Sequence, residues 1–424
     1  MKTDLSIRET IREDGLRIIT KDVTTDRKTS VSITARNGSA DDPPGLDGLH
    51  HFFEHMGFKG TKRRALTTLK SNLERYMLNF NASTHNIRTT YEFQCHFKRI
   101  NEATEILLDL YTNSTYPENE IEIEKNVVNT EIETKAENDN LNCYYGMMNL
   151  LWQNNPLKHR GTGKTQDIAK INRDILLNHR DIIHEPSNTV IIACGKMAHD
   201  FFVCHINNLF PISKSYRAPK RLFLHDETGI LPSDQLLKIG GTSKTMAEMY
   251  SGIKVDKNLF IDLKSDSAMS ILIRMLGTGM NSILWNEIRE KRGLVYSISM
   301  NQLGSTHLGK VIYVYAKAIQ DNIDQVYDLV QKLLFNADLH KSHFMNAKEL
   351  CIDAWELSMD DSSLWRSLLE YDMIWQTSTI EEFSHYKSKL RKALRDVRFE
   401  DVLRLYAEIF TPEKLATCII TPNP

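Results

Sequence analysis

The chain has 424 residues, 41% of them hydrophobic, more than one small core accommodates, which predicts two or more domains. Its 53 basic and 55 acidic residues are intermingled and leave a formal net charge of −2, so no overall field selects for nucleic acid or a membrane surface. No apolar run reaches the roughly 20 residues of a membrane helix, the opening MKTDLSIRETIREDG resembles neither a signal nor a transit peptide, and the six cysteines form no CxxC; together these predict a soluble, cytoplasmic protein with reduced thiols.

In chain order, LRIITKDV and TSVSITARN predict two strands. DDPPGLDGLHHFFEHMGFKG sets prolines and glycines on either side of a short apolar run and predicts a helix from Leu46 to Met56. TTYEFQCHFKRI alternates like a strand, NEATEILLDLYTNS has apolar residues at helical spacing, and ENEIEIEKNVVNTEIETKAEN reads as a second helix. NTVIIACG predicts another strand. The pattern then breaks into PISKSYRAPKRLFLHDETGILPSDQ, the best linker candidate. Beyond it GKVIYVYAKAI, DNIDQVYDLVQKLLFNA and HKSHFMNAKELCIDAWELS repeat the strand–helix–helix order about 221 residues on, and ATCIITP adds a strand. The expected fold is therefore α+β. Two homologous domains, each an antiparallel sheet with helices packed on one face, span residues 1–210 and 236–424 around a linker at 211–235.

Residues 50–55 hold three histidines and a glutamate. At about 3.6 residues per turn His51 and His55 share a face, with Glu54 beside them, so two imidazoles and a carboxylate converge. His50 lies about 100° round the helix and reads as a neighbour, while Phe52 and Phe53 point to the core. Two readings compete: a buried helix whose histidines bond to backbone groups, and a zinc site of the HxxEH kind with Glu54 as base. The first leaves unexplained why only one copy of the repeat carries them, since the offset takes His51 into SAMSILIRMLGTGM and Glu131 to Ile352. The second needs a third protein ligand. The helix IEIEKNVVNTEIETK offers Glu124 and Glu131, seven residues apart on one face with Val127 and Val128 between them for packing, although such a helix alone reads as a solvated face.

HFFEH followed by 75 residues and Glu131 resembles the M16 zinc peptidases, the pitrilysin or mitochondrial processing peptidase-like family with an inverted metal motif. FKGT after the motif, NAST at Asn81, EKNVVNTE, HEPSN, and LGTGMNSILWNEIREKRGLVYSIS in the second half extend the resemblance over nearly the whole chain. The resemblance implies His51, His55 and Glu131 as ligands of one zinc ion per chain, Glu54 as the base, and Glu124 as a carboxylate supporting the ligands. It implies Arg289 and Tyr296 as substrate-binding and catalytic groups of the second domain, Asn81 beside a substrate strand, and a cavity enclosed between the halves. Leu78 and Asn79 depart from the glycines many relatives carry, and His50 stands where a small residue is common.

Other motifs carry less. HRGTGKT imitates a phosphate loop but has Lys158 where a Walker A motif needs glycine, and reads as a helix-entry loop. His340 and His343 in DLHKSH lack a third ligand, and KGTKRR reads as a solvated basic loop. The expected function is a zinc endopeptidase acting on unfolded or short peptides, as a homodimer or with a related subunit, and with no nucleic acid or membrane partner. The alternatives are a non-catalytic peptide-binding subunit and a scaffold subunit.

Overall fold

The computed structural model describes residues 7–23, 26–212, 235–256, 259, 262–305, 309–357, 361–375 and 389–422. The expected linker at 211–235 lies almost entirely outside them. The strands are β1 (Ile7–Ile11), β2 (Arg17–Asp22), β3 (Lys28–Ala35), β4 (Asn79–Thr84), β5 (Thr89–His96), β6 (Thr189–Gly195), β7 (Gln235–Gly241), β8 (Met246–Val255), β9 (Ser297–Ser305), β10 (Gly309–Ile319) and β11 (Leu415–Pro422). The helices are α1 (Leu49–Met56), α2 (Leu66–Tyr76), α3 (Ile100–Asn113), α4 (Glu118–Ala136), α5 (Asp139–Leu151), α6 (Thr165–Ile168), α7 (Arg173–Ile183), α8 (His199–Leu209), α9 (Leu263–Gly277), α10 (Ile323–Phe335), α11 (Lys341–Leu357), α12 (Ser362–Trp375) and α13 (Phe399–Ile409).

Two sheets carry the duplication. The first has six strands in the order β1-β2-β6-β3-β5-β4 and the second five in the order β7-β11-β8-β10-β9. Set β7 on β2, β11 on β6, β8 on β3, β10 on β5 and β9 on β4, and the two orders coincide, with β1 as an extra edge. The sheets are antiparallel except for one pair each: β2 runs parallel to β6, and β7 to β11. In both, the closing strand returns after a long helical stretch and inserts beside its parallel partner, β6 beside β2 and β11 beside β7, a route that a parallel pair requires and a tight hairpin forbids.

Helices cover both faces of each sheet rather than one. In the first unit, Val31, Ile33, Tyr91, Phe93 and Ile191 pack with α2, α3 and α8. The alternate residues Val190 and Ile192 meet Trp365 and Leu369 of α12, as the two-residue period of a strand dictates. In the second unit, Met249, Ile253, Ile312 and Val314 pack with α9 and α10, while Tyr250, Val311 and Ile420 meet α5. The first unit thus comprises Met1–Ile132, His159–Phe223 and Leu357–His385, and the second Glu133–Lys158, Leu224–Glu356 and Tyr386–Pro424. Each takes one covering helix from the other half of the sequence.

Polar contacts fix α12 on its sheet. Arg366 is buried, donating from Nε to Ser30 Oγ at 3.0 Å and pairing with Glu370 at 2.6 Å, and Glu370 accepts from Thr90 Oγ1 at 2.7 Å. In the second unit Asp139, at the start of α5, accepts the backbone N–H groups of Thr242 and Ser243. Gly146 lies where a Cβ would come within 2.4 Å of Cys418 Sγ, so only glycine lets α5 approach β11 so closely. Among the described residues no helix is long and apolar enough to cross a membrane.

Candidate metal centre

Helix α1 starts at Leu49, three residues later than its sequence predicts, because Gly48 takes a left-handed φ of +94° that an α-helix cannot continue. Asp42 fixes this start: its carboxylate accepts the backbone N–H of Gly48 at 2.7 Å and of His50 at 2.9 Å, and bonds His50 Nδ1 at 2.7 Å. Two of the N–H groups that a helix N-terminus leaves unsatisfied are thereby paired. His50 is committed to this cap and to an edge-on contact with His179, with ring centroids 4.4 Å apart. Phe52 and Phe53 are fully buried, and Phe53 packs against Tyr116, His179 and His184, which anchors the helix as the sequence predicts.

On the opposite face the rings of His51 and His55 lie 4.5 Å apart, one turn from each other. Helix α4 brings Glu131 against them: its Oε2 is 3.6 Å from His51 Nε2 and 3.7 Å from His55 Nε2. Two ligands of a tetrahedral zinc ion with bonds of roughly 2.05 Å sit about 3.3 Å apart, so the donor set fits such an ion with little adjustment. Among the described residues this is the only group of three metal-ligating side chains whose donor atoms converge, all within 4.8 Å.

Glu124, two turns before Glu131 on α4, is buried and bonds His55 Nδ1 at 2.8 Å through Oε1. That bond holds the proton on Nδ1 and leaves Nε2 facing Glu131, the tautomer a metal ligand needs. The other oxygen of Glu124 pairs with Lys59. Burial opposes charge on both partners, yet the hydrogen bond and the charges of Glu124, Glu54 and Glu131 raise the His55 pKa. The hydrogen bonds from His55 and Lys59 likewise overcome burial and lower that of Glu124. Glu54 is 9% exposed and accepts the Thr84 hydroxyl at 2.9 Å, which ties the carboxylate to the end of β4.

Asn81 lies on β4, the edge strand of the first sheet, and lines a cavity with Glu54, His55 and Glu124. The structure therefore gathers His51, His55, Glu131, Glu54, Glu124 and Asn81 in one unit. Arg289 and Tyr296 belong to the other. Arg289 lies in the last turn of a π-helical stretch, Trp285–Glu290, and its guanidinium stacks 4.1 Å from the Trp285 ring. Tyr296 is 73% exposed, and its backbone N–H donates to Lys317 O.

Two expectations need correction. Of the two valines meant to pack α4, Val128 is buried but Val127 is 48% exposed, because a helical step of about 100° carries it off the core face. KGTKRR is not a solvated loop throughout: Lys59 is committed to Glu124, and Arg64 to Glu105 and Asp109. HRGTGKT does enter a helix, the four-residue α6, and Lys164 in it pairs with Asp47 at 2.7 Å. Sequence reasoning missed Asp42, Thr84 and Lys59. Only Asp42 left a signal, an Asp ahead of a predicted helix.

Residues 17–163 match the family description "Insulinase (Peptidase family M16)" and residues 170–340 match "Peptidase M16 inactive domain". The two matches meet between residues 163 and 170, within the first unit, so the second begins ahead of α7, β6 and α8 of that unit; the repeat offset from His51 and Glu131 leads to Leu272 and Ile352, whose aliphatic side chains cannot ligate a metal. The uncharacterized zinc protease YmxG of Bacillus subtilis is 24% identical over 421 residues, 97% of each chain. The uncharacterized zinc protease SCO5738 of Streptomyces coelicolor is 26% identical over 77% of this chain and 70% of its own. A crystallised M16-like peptidase from Alicyclobacillus acidocaldarius shares the fold at a TM-score of 0.84 and 18% identity, covering 100% of both chains. Two M16 family descriptions matched along the chain, relatives named zinc proteases and a shared two-domain fold lead to one conclusion: this chain belongs to the M16 peptidase family.

Proposed function

We propose that the protein is a zinc-dependent endopeptidase that hydrolyses unfolded or short peptides. The observation that carries the proposal is the convergence of His51, His55 and Glu131 within 4.8 Å, with Glu54 beside them on the same helix. His51 and His55 through Nε2, and Glu131 through Oε2, would hold one zinc ion per chain. When bound, the ion supplies a Lewis acid that polarises the scissile carbonyl and makes an attacking water more acidic.

Glu54 takes a proton from the attacking water and returns it to the leaving amine nitrogen. Thr84 orients the carboxylate for both transfers, and Glu124 keeps the His55 ring turned so that Nε2 faces the ligand cluster. The peptide lies along the free edge of β4 near Asn81, where an added strand finds unpaired backbone groups. Arg289 binds a substrate carbonyl or carboxylate and Tyr296 donates to the developing oxyanion. These two roles rest on the family resemblance, as do a closed chamber and a homodimer or a heterodimer with a related subunit; residues 211–235 as the join between halves rest on the break in sequence pattern there. A cytoplasmic address rests on the sequence alone. The direct test is hydrolysis of a quenched peptide library by the zinc-loaded protein, its loss on chelation and its return with added zinc. A protein that retains zinc but cleaves nothing is a peptide-binding or scaffold subunit instead.

A further inference from the structure

A cavity of about 300 Å³ opens beside Glu54 and His55, walled by the rings of Phe58 and Phe80 and by Ala82. Two lysines reach it, Lys59 from the turn after α1 and Lys70 from α2. They differ in commitment. Lys59 is spent on Glu124. Lys70 is exposed and, among the described residues, makes no ion pair. Glu74 follows it at i+4, the weaker of the two orientations for a helical pair.

The charges around the cavity set its preference. Three carboxylates stand at the metal centre: Glu54, Glu124 and Glu131. Lys59 offsets one, and a divalent cation in the ligand set offsets the other two. What remains is the ammonium of Lys70 at the mouth of a cavity with apolar walls. Such a site suits a side chain with an apolar stem and an anionic tip, because the stem replaces water on the rings while the tip pairs with the lysine.

We propose that Lys70 is a specificity-determining residue, and that this cavity takes an acidic side chain, glutamate above all, from the peptide residue next to the bond being cleaved. The proposal rests on the peptidase reading for its substrate class. Phe58 and Phe80 cover the methylenes of the glutamate and Lys70 pairs with its carboxylate. Glutamine fills the same volume without the charge, so the Glu-to-Gln ratio isolates the contribution of Lys70.

The test compares three matched peptide series, with Glu, Gln or Lys stepped through the residues flanking the scissile bond. In the parent, one position favours Glu over Gln by about fivefold in kcat/KM, the upper range for a pair open to solvent, and the ratio falls as salt is raised. Lys70→Met brings that ratio close to one, and Lys70→Glu places the Lys peptide above the Glu peptide. A second readout is independent of hydrolysis: binding of the same fluorescent peptides to zinc-loaded Glu54→Gln protein, with and without Lys70→Met. A Glu-to-Gln ratio that Lys70→Met leaves unchanged in both readouts overturns the assignment. If the parent cleaves nothing while binding still discriminates Glu from Gln through Lys70, the assignment of this cavity and Lys70 to an acidic peptide side chain stands, and the peptidase reading fails together with the side chain's placement beside a cleaved bond.

Discussion

Replacing Glu124 with glutamine is isosteric, yet it removes something geometry cannot restore. The carboxylate offers one oxygen to His55 Nδ1 at 2.8 Å and the other to Lys59. A glutamine amide has one carbonyl oxygen for these two donors, and its NH2 group must face one of them. If the oxygen turns to Lys59, the His55 ring loses the acceptor that holds its tautomer. If it turns to His55, the Lys59 ammonium is left beside a donor in a largely buried place. Outer partners of metal-binding histidines typically contribute ten- to a hundredfold in affinity, so Glu124→Gln is expected to weaken zinc binding by about that factor, or roughly 1.4 to 2.7 kcal/mol. Competition with a chromogenic zinc chelator at fixed pH measures it. The parent and the variant should share a far-UV CD spectrum, since α4 keeps Val128 and Ile121 in the core. A variant that binds zinc as tightly as the parent would refute the orienting role of Glu124.

Two further predictions concern the second domain and acid stability. Tyr296→Phe removes one oxyanion donor and should retain zinc while lowering kcat by about one to three orders of magnitude, with a smaller change in KM; parental kcat would make Tyr296 a surface residue only. Burial depresses the pKa of His184 to about 3, so the folded state refuses a proton that the unfolded chain accepts below its ordinary value near 6.5. Stability from this residue is therefore complete above about pH 6.5 and declines as pH falls towards 3, by about 2 kcal/mol at pH 5. Urea midpoints between pH 7.5 and 5 should fall, and less steeply in His184→Gln; equal slopes in the two proteins would contradict the assignment.

The candidate metal cluster was legible where local periodicity determines geometry. His51 and His55 share a face at any helical spacing of four, and Phe52 and Phe53 must then point away from them. By periodicity the acidic helix is legible only as a pair of candidates, because Glu124 and Glu131 share a face; the family resemblance alone ranks them in the sequence. The tertiary approach of α4 to α1 separates them, placing Glu131 at the Nε2 atoms and Glu124 at Nδ1 of His55. Asp42 stands in a segment that reads as loop, where an Asp ahead of the predicted helix is its one signal, and it caps the helix and fixes His50. Lys59 was read from its basic neighbours, and its partner lies 65 positions along the chain.

At the level of the fold, strands with alternating β-branched residues, such as β3, β5 and β10, announced themselves. MAEMYSGIKV did not, although it forms the central strand β8: it is buried on both faces, so it lacks alternation, and Met, Ala and Glu are weak strand formers. The repeat order was visible, but the placement of α5 and α12 on sheets built from the other half of the sequence was not. Helical periodicity tells which stripe is apolar and says nothing about which sheet receives it.

The central claim separates metal binding from chemistry, since Glu54 stands beside the ligands without being one of them. The most direct measurement is therefore zinc content by elemental analysis together with turnover of a quenched peptide, in the parent, Glu54→Gln and His51→Ala. The account predicts about one zinc and turnover in the parent, the same zinc with turnover reduced by roughly two to four orders of magnitude in Glu54→Gln, and loss of both in His51→Ala. Parental turnover in Glu54→Gln, or zinc retained in full by His51→Ala, would contradict it.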